Sequence, residues 1–450
     1  QILLSGATVT GDVVGGTSAG GTGNTLDIYP GQSAIHDFSG VQKLRFYLPN
    51  DARASYTPML QLGVATKDIR NLNIGVGFSG SAPVLRGNDV ISLMKTLPGG
   101  TLLTDADIAN QIEGTQGVTM RYQFALQKRG TDELVLTLIG AAMNDQTKSL
   151  VEPRCGATDF INRGADLLAA SGISSAAKEG GRTEDDEKRG YQLWAAMSQG
   201  TMRAETGSYV TTTGYNLSVG WAKEGKLRAA KTLFTPFVEY GRGTYHTYLD
   251  DGTHGSGKIS YFGAGLMGRI ERPHGHWLEA ALHGGRVRSD YMGTISAGTV
   301  STYDSGNAYY AAHIGIGKTR LLHTGETLNT YLRYFYSRQD GTSAELNTGE
   351  TYDFDAVASH RMRVGFTFLH REDTSKEIYA GLAYEYEFDG EGAASVQGLA
   401  TDSPALRGGS TMVELGYRFI PPDSRLSCHI RMAGWQGTRR GMTGNIQVSW

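Results

Sequence analysis

The residues of this chain that could do chemistry fall into a few short motifs and one long-range pattern of charges. Gly16-Thr17-Ser18-Ala19-Gly20 spells the sharp turn that presents a nucleophilic serine between a strand and a helix. Here the stretch is Gly-rich, with no strand before it and no helix after. Gly75-Val76-Gly77-Phe78-Ser79-Gly80 has the glycine spacing of a dinucleotide-binding turn, yet Pro83 stands where the helix should begin, so it reads as a turn and no more. Gly315-Ile316-Gly317-Lys318-Thr319 imitates a phosphate loop, but Ala312 occupies the place of its first glycine and the segment reads as strand. His274 and His276 flank Gly275 at a turn beside Pro273, and His283 points to the lumen, which leaves no zinc set. Asp250-Asp251 with His254 reads as a solvated loop. No catalytic residue and no metal ligand is assigned, and no cofactor is expected. Cys155 and Cys428 allow one disulfide at most; Cys428 shares a strand face with Leu426, Ile430 and Met432, whereas Cys155 reads as linker, so two unpaired thiols are expected.

The charges tell more. Between Gly190 and Trp450 twelve strand-like segments begin near Tyr191, Tyr209, Thr232, Gly257, His276, Asn307, Leu328, Ala358, Lys376, Thr411, Arg425 and Met442. Because side chains alternate across a strand, each segment has two faces. One face carries Tyr215, Leu217, Val219 and Trp221, later Met362, Val364, Phe366 and Phe368, later Val413, Leu415, Tyr417 and Phe419. The other carries Glu279, Arg361, Arg363, Glu385, Glu387, Glu414 and Arg431, together with Arg269, His283, Arg333, Arg418 and His429. An Arg or Lys facing lipid at mid-depth costs roughly 2 to 4 kcal/mol, so this sorting implies hydrocarbon outside and a wet bore inside. Tyr and Phe near strand ends suit interfacial girdles. The expected fold is all-β: a twelve-stranded antiparallel transmembrane barrel, whose lumen is lined by the seven charged residues named first.

Composition agrees. Of 450 residues 62 are Gly and 11 Pro, and only 19% are charged, which favours strands and turns over helices. A net charge of −3 offers no footprint for nucleic acid. No apolar run is long enough for a membrane-spanning helix, which says nothing about barrels. Three segments follow: residues 1–150, with short strands and many turns that suit the last rungs of a parallel β-helix; residues 151–189; and the barrel, 190–450. The middle segment holds the one convincing helix. Thr158 is read as its N-cap with Asp159 in the first turn, and it runs to Gly172 or to Gly180-Gly181. Gly164, Ala165, Ala169 and Ala170 keep it narrow, while Asn162, Arg163 and Asp166 can meet lumenal charges. The charged, Gly-rich stretch 178–190 reads as a linker. Gln1 is not an initiator and no leader follows it, so the chain reads as the C-terminal part of a longer one.

The last residues alternate again, with Met442, Ile446, Val448 and Trp450 on one face and an aromatic at the end. Stem, small-sided helix, twelve-strand barrel and alternating terminal strand together resemble the C-terminal part of a monomeric autotransporter (type Va secretion). The resemblance covers essentially the whole chain, with Trp450 a departure from the commoner terminal Phe. It implies that residues 1–150 are a C-terminal passenger β-helix and autochaperone region at the cell surface. It implies further that the Thr158 helix plugs the pore and that Met442–Trp450 is the signal read by the outer-membrane assembly machinery. Implied partners are outer-membrane lipid and lipopolysaccharide, the barrel-assembly machinery, periplasmic chaperones and the chain's own passenger, with the barrel a monomer. Some relatives cut themselves between adjacent asparagines in the plug helix; here Arg163 follows Asn162, so that mechanism does not carry over. The competing readings are an outer-membrane protease or lipase barrel, and an adhesin that binds through residues 1–150.

Overall fold

The computed structural model describes residues 1–16, 23–49, 57–79, 88–104, 110–172, 192–295, 298–323, 326–373, 375–396, 398–421 and 426–450. The serine of the Gly16 motif, Pro83, the 178–190 linker and the strand starts at Tyr191 and Arg425 lie outside these residues. Two compact units are present. One comprises Gln1–Asp145 with Ser296–Thr299 and Thr348–Glu350; the other comprises Gln146–Ile295, Val300–Asn347 and Thr351–Trp450.

In the first unit short strands wind in rungs. The first rung is β1 (Ile2–Ser5), β2 (Thr8–Val9) and β3 (Val13–Val14); the second is β4 (Thr25–Tyr29), β5 (Ser33–Ile35) and β6 (Phe38–Ser39). The third is β7 (Lys43–Pro49), β8 (Leu60–Leu62) and β9 (Thr66–Asp68), and the fourth β10 (Asn73–Ser79), β11 (Val90–Lys95) and β12 (Thr101–Leu103). Equivalent strands stack in parallel, so Leu26 lies on Leu44 and Ile28 on Phe46 in a fully buried column. At one corner the coils approach so closely that a Cβ on Gly40, at φ +68°, would sit 2.2 Å from the Gly15 carbonyl oxygen. The Asn24 amide bridges both, donating to Gly15 O at 3.3 Å and Gly40 O at 2.9 Å. Gly75–Ser79, expected to be a turn, lies instead within β10, paired in parallel with β7. Stacking supplies a pairing partner that the local sequence does not reveal.

The coil ends by changing direction. β11 pairs in parallel with β8 on one edge and antiparallel with β15 (Glu133–Met143) on the other. β13 (Asn110–Gln116) and β14 (Met120–Arg129) complete an antiparallel meander with β15 that covers the last rung's edge. At its corner Ser92 donates to Glu133 at 2.5 Å and Arg129 at 2.6 Å. Burial tends to raise the Glu133 carboxyl, but these donors, with the Arg129 and Lys95 charges, outweigh it and hold the group below the usual carboxylate range.

The second unit is a closed antiparallel barrel around one helix, α1 (Lys148–Leu167). Its first strands are β16 (Gln192–Glu205), β17 (Tyr209–Leu227), β18 (Ala230–Tyr248), β19 (His254–Glu271), β20 (His276–Ile295), β21 (Thr299–His323) and β22 (Glu326–Gln339). The short β23 (Thr342–Glu345) and β24 (Thr351–Phe354) rise from the wall before β25 (Val357–Arg371) and β26 (Lys376–Glu387). β27 (Ala394–Val396) and β28 (Leu399–Ala400) rise again before β29 (Gly408–Phe419), β30 (Ser427–Gly437) and β31 (Arg439–Ser449). Twelve strands form the wall, and β31 closes it against β16. The two raised hairpins join through β24 and β27 into a four-stranded sheet at one end of the barrel. The opposite end has short turns such as 228–229 and 272–275. β21 begins eight residues before the expected start at Asn307, because its first residues, Thr299–Ser305, are mostly small or polar and show no continuous apolar face.

Alternation sorts the wall as lipid requires. Leu282, Phe262 and Leu415 are 65%, 61% and 61% exposed, while Glu279, His283 and Glu414, on the alternate register, are buried. Apolar exposure on this scale, continuous around the wall, marks a surface made for hydrocarbon.

Candidate functional site: the helix in the bore

α1 is buried over nearly its whole length, polar residues included. It starts eleven residues earlier than the sequence suggests, with Thr147 in front of it; Thr158 is therefore no N-cap but a mid-helix residue, hydrogen-bonded at 3.2 Å to the Gln339 side chain. Pro153 and Gly156 disfavour helix locally. The barrel overrides them, since wall and loops give this turn partners that no isolated segment has. Glu152 accepts from Thr206 at 2.8 Å and from Ser208. Arg154 donates to the Asp340 and Asp355 carbonyls at 2.5 and 3.0 Å. Cys155, which the sequence places in a linker, is buried in the helix, its thiol directed at the Gly390 and Pro404 carbonyls, 3.6 and 3.4 Å away. Both cysteines are free. The helix passes into a five-residue turn, Leu168–Gly172, and Leu167 and Leu168 pack among Trp194, Phe237 and Met267.

Small side chains set the path. A Cβ on Gly164 would lie 2.2 Å from the Tyr261 hydroxyl, and Ala165 and Ala169 pack on Phe335. Asn162 donates to Ser359 at 3.0 Å and accepts from Ser337 at 2.7 Å. Arg163 meets no acid among the described ion pairs; it donates to the Gly200 and Gly214 carbonyls at 3.1 and 3.2 Å.

At mid-bore lies a charge cluster. Asp166 pairs with Arg361 at 2.9 Å, Arg363 at 2.6 Å and Arg439 at 3.2 Å. Glu385 pairs with the same three at 3.1, 2.6 and 2.8 Å, and Arg439 also holds Asp159 at 2.9 Å. Three guanidinium groups thus face three carboxylates, of which the helix supplies two. The other inward charges stand apart. Glu279 pairs with Arg333 at 2.6 Å, Glu414 with Arg431 at 3.1 Å, and Glu387 accepts from the His360 N–H at 2.7 Å. Sequence reasoning missed Arg439 and the pairing of Asp159. The signal for Arg439 was available: counting back by twos from Trp450, Val448 and Ile446 puts every odd position of the last strand inside. On the even register Met442, Ile446 and Trp450 are 57%, 55% and 48% exposed and Val448 is partly buried.

A twelve-strand barrel with an apolar outer wall and a helix ion-paired in its bore defines an outer-membrane translocator domain. Residues 193–427 match the family described as Autotransporter beta-domain, a span of more than half the chain, and the chain belongs to this family. Its fold is similar to the translocator domain of the autotransporter NalP from Neisseria meningitidis, at 14% identity and a TM-score of 0.52 over 67% of this chain and 99% of that one. It is also similar to the β-domain of the Bordetella autotransporter BrkA, at 15% identity and a TM-score of 0.50 over 58% of this chain and 99% of that one. No curated protein matches the chain.

Proposed function

We propose that this barrel carries its own N-terminal segment out through the bore and then anchors it, with residues 1–150 standing at the cell surface as passenger stem. The observation that supports this most is the path of the chain through the second unit. α1 begins beside Thr206 and Ser208 at the hairpin end and runs toward the short-turn end, with Leu167 and Leu168 packed on Trp194 near the start of β16. Since short turns face the periplasm and long loops the exterior, the N-terminal end of α1 is its outward end. Rung-by-rung burial of columns such as Leu26 and Leu44 would bias outward motion with no nucleotide or gradient.

In this reading Thr158, Asn162, Arg163 and Asp166 seat the helix after transport. Arg361, Arg363 and Glu385 are its docking charges, and Glu279, Glu387, Glu414 and Arg431 keep the rest of the bore polar. Met442, Ile446, Val448 and Trp450 form the strand that the barrel-assembly machinery reads, after delivery by periplasmic chaperones into a membrane of phospholipid and lipopolysaccharide. The barrel acts as a monomer and performs no turnover of its own. The test is surface display. A reporter domain fused ahead of Gln1 should become accessible to external protease and antibody on intact cells. Insertion of the barrel with the reporter held in the periplasm would overturn the assignment.

A further inference from the structure

The outer wall of the barrel is not uniformly convex. A groove of about 1150 Å³ crosses it from β19 to β29, lined mostly by side chains of the lipid-facing register, with the buried, inward-register Trp277, Tyr331 and Ala383 also bordering it. Its walls include Ile316, Leu332 and Phe366, which are 53%, 39% and 43% exposed. Its mouth, at the short-turn end, carries Arg272, His276 and Lys318. The turn itself gathers these three: the Arg272 N–H donates to His276 O at 2.8 Å, and the Thr319 N–H donates to Gly275 O at 2.8 Å, which sets Lys318 beside His276. No Asp or Glu is among the described residues that line the groove. Arg272 and Lys318 are in no ion pair with any described residue.

The volume exceeds the range of about 300 to 1,000 Å³ usual for small-ligand pockets, so the groove suits an extended chain better than a compact molecule. An apolar trough opening at a cationic mouth matches one ligand chemistry: acyl chains in the trough and a phosphate at the mouth. We infer that this groove is a binding site for an anionic glycerophospholipid of the periplasmic leaflet, its headgroup phosphate held by Arg272 and Lys318 with His276 beside them. A lipid on a convex stretch of wall is held from one side only. Here one lipid is surrounded on both sides, and each cation adds about fivefold to its retention.

The test is native mass spectrometry of the full chain in detergent, titrated with phosphatidylglycerol or with phosphatidylcholine of the same chains. Unboiled gel mobility confirms that each barrel is folded. The expected result is a single phosphatidylglycerol adduct, with phosphatidylcholine at least tenfold weaker. The double variant Arg272→Gln/Lys318→Gln should weaken the adduct about thirtyfold, and Lys318→Arg should preserve it. Leu332→Trp, which fills the trough, should remove both lipids. Arg320→Gln/Lys376→Gln, outside the groove, should change nothing. Equal binding of the two lipids, or an adduct indifferent to Arg272→Gln/Lys318→Gln, would overturn the inference. So would full displacement by millimolar inorganic phosphate, which would mark a plain anion site.

Discussion

Replacing Asp166 by Asn tests what holds the helix in the bore. The wall brings Arg361, Arg363, Arg439 and Glu385 to the mid-bore cluster, a local charge of +2, and the helix cancels it with Asp159 and Asp166. Asp166→Asn leaves one positive charge uncompensated among groups that are almost fully withdrawn from water. Removing one member of a buried pair typically costs about 3 to 5 kcal/mol, which would favour the helix-out state by a factor of about 150 to 4,000. Planar-bilayer recording of the purified full chain reads that state directly, as openings of a bore that α1 otherwise fills. Wild type should conduct rarely, Asp166→Asn often, and Asp159→Asn/Asp166→Asn more often still. Because Arg363 is left in excess, Asp166→Asn/Arg363→Gln should close part of the difference, a coupling that a double-mutant cycle isolates. Openings as rare in Asp159→Asn/Asp166→Asn as in wild type, with the barrel folded, would refute the electrostatic seat.

Three other perturbations probe separate parts of the molecule. Gly164→Val drives a side chain into the Tyr261 hydroxyl, at a cost of about 1 to 3 kcal/mol, and should lower the temperature at which unboiled gel mobility is lost and raise bore conductance. Leu415→Arg, on the lipid side of β29, should cost about 2 to 4 kcal/mol and reduce the folded fraction on insertion into vesicles, whereas Leu415→Phe should not. In the stem, Glu133 is held below its unfolded value of about 4.3, so its stabilisation is present above that pH and lost as pH falls through the folded value. Protease resistance of residues 1–145 should therefore drop on acidification in wild type, with Glu133→Gln weaker at neutral pH and flatter against acid.

Much of the barrel is legible without coordinates, since lipid imposes a period of two that Val413, Leu415, Tyr417 and Phe419 repeat as plainly as the last strand does. The pattern fades where lipid is absent. β21 projects beyond the apolar belt at its start, where Ser301, Thr302 and Ser305 offer no greasy side, so alternation alone understates the length of the strand. The helix start is hidden for a different reason. Pro153 and Gly156 look like linker residues because propensity assumes a solvated segment, and this one is surrounded by carbonyls and hydroxyls of the wall and its loops. Partners within the bore are least legible of all. Inward parity is a local property, but the meeting of Asp166 with Arg363 and of Asp159 with Arg439 depends on barrel closure and on the depth to which the helix sits.

The four-stranded sheet of β23, β24, β27 and β28 stands at the end of the bore where α1 begins. The segments that carry its hairpins supply the carbonyls that meet Arg154 and Cys155, so hairpins and helix brace one another at that end of the bore. An empty bore of this girth would leak small hydrophilic solutes, including toxic ones. Sealing it from within lets a cell carry many copies without surrendering the permeability barrier on which its survival depends.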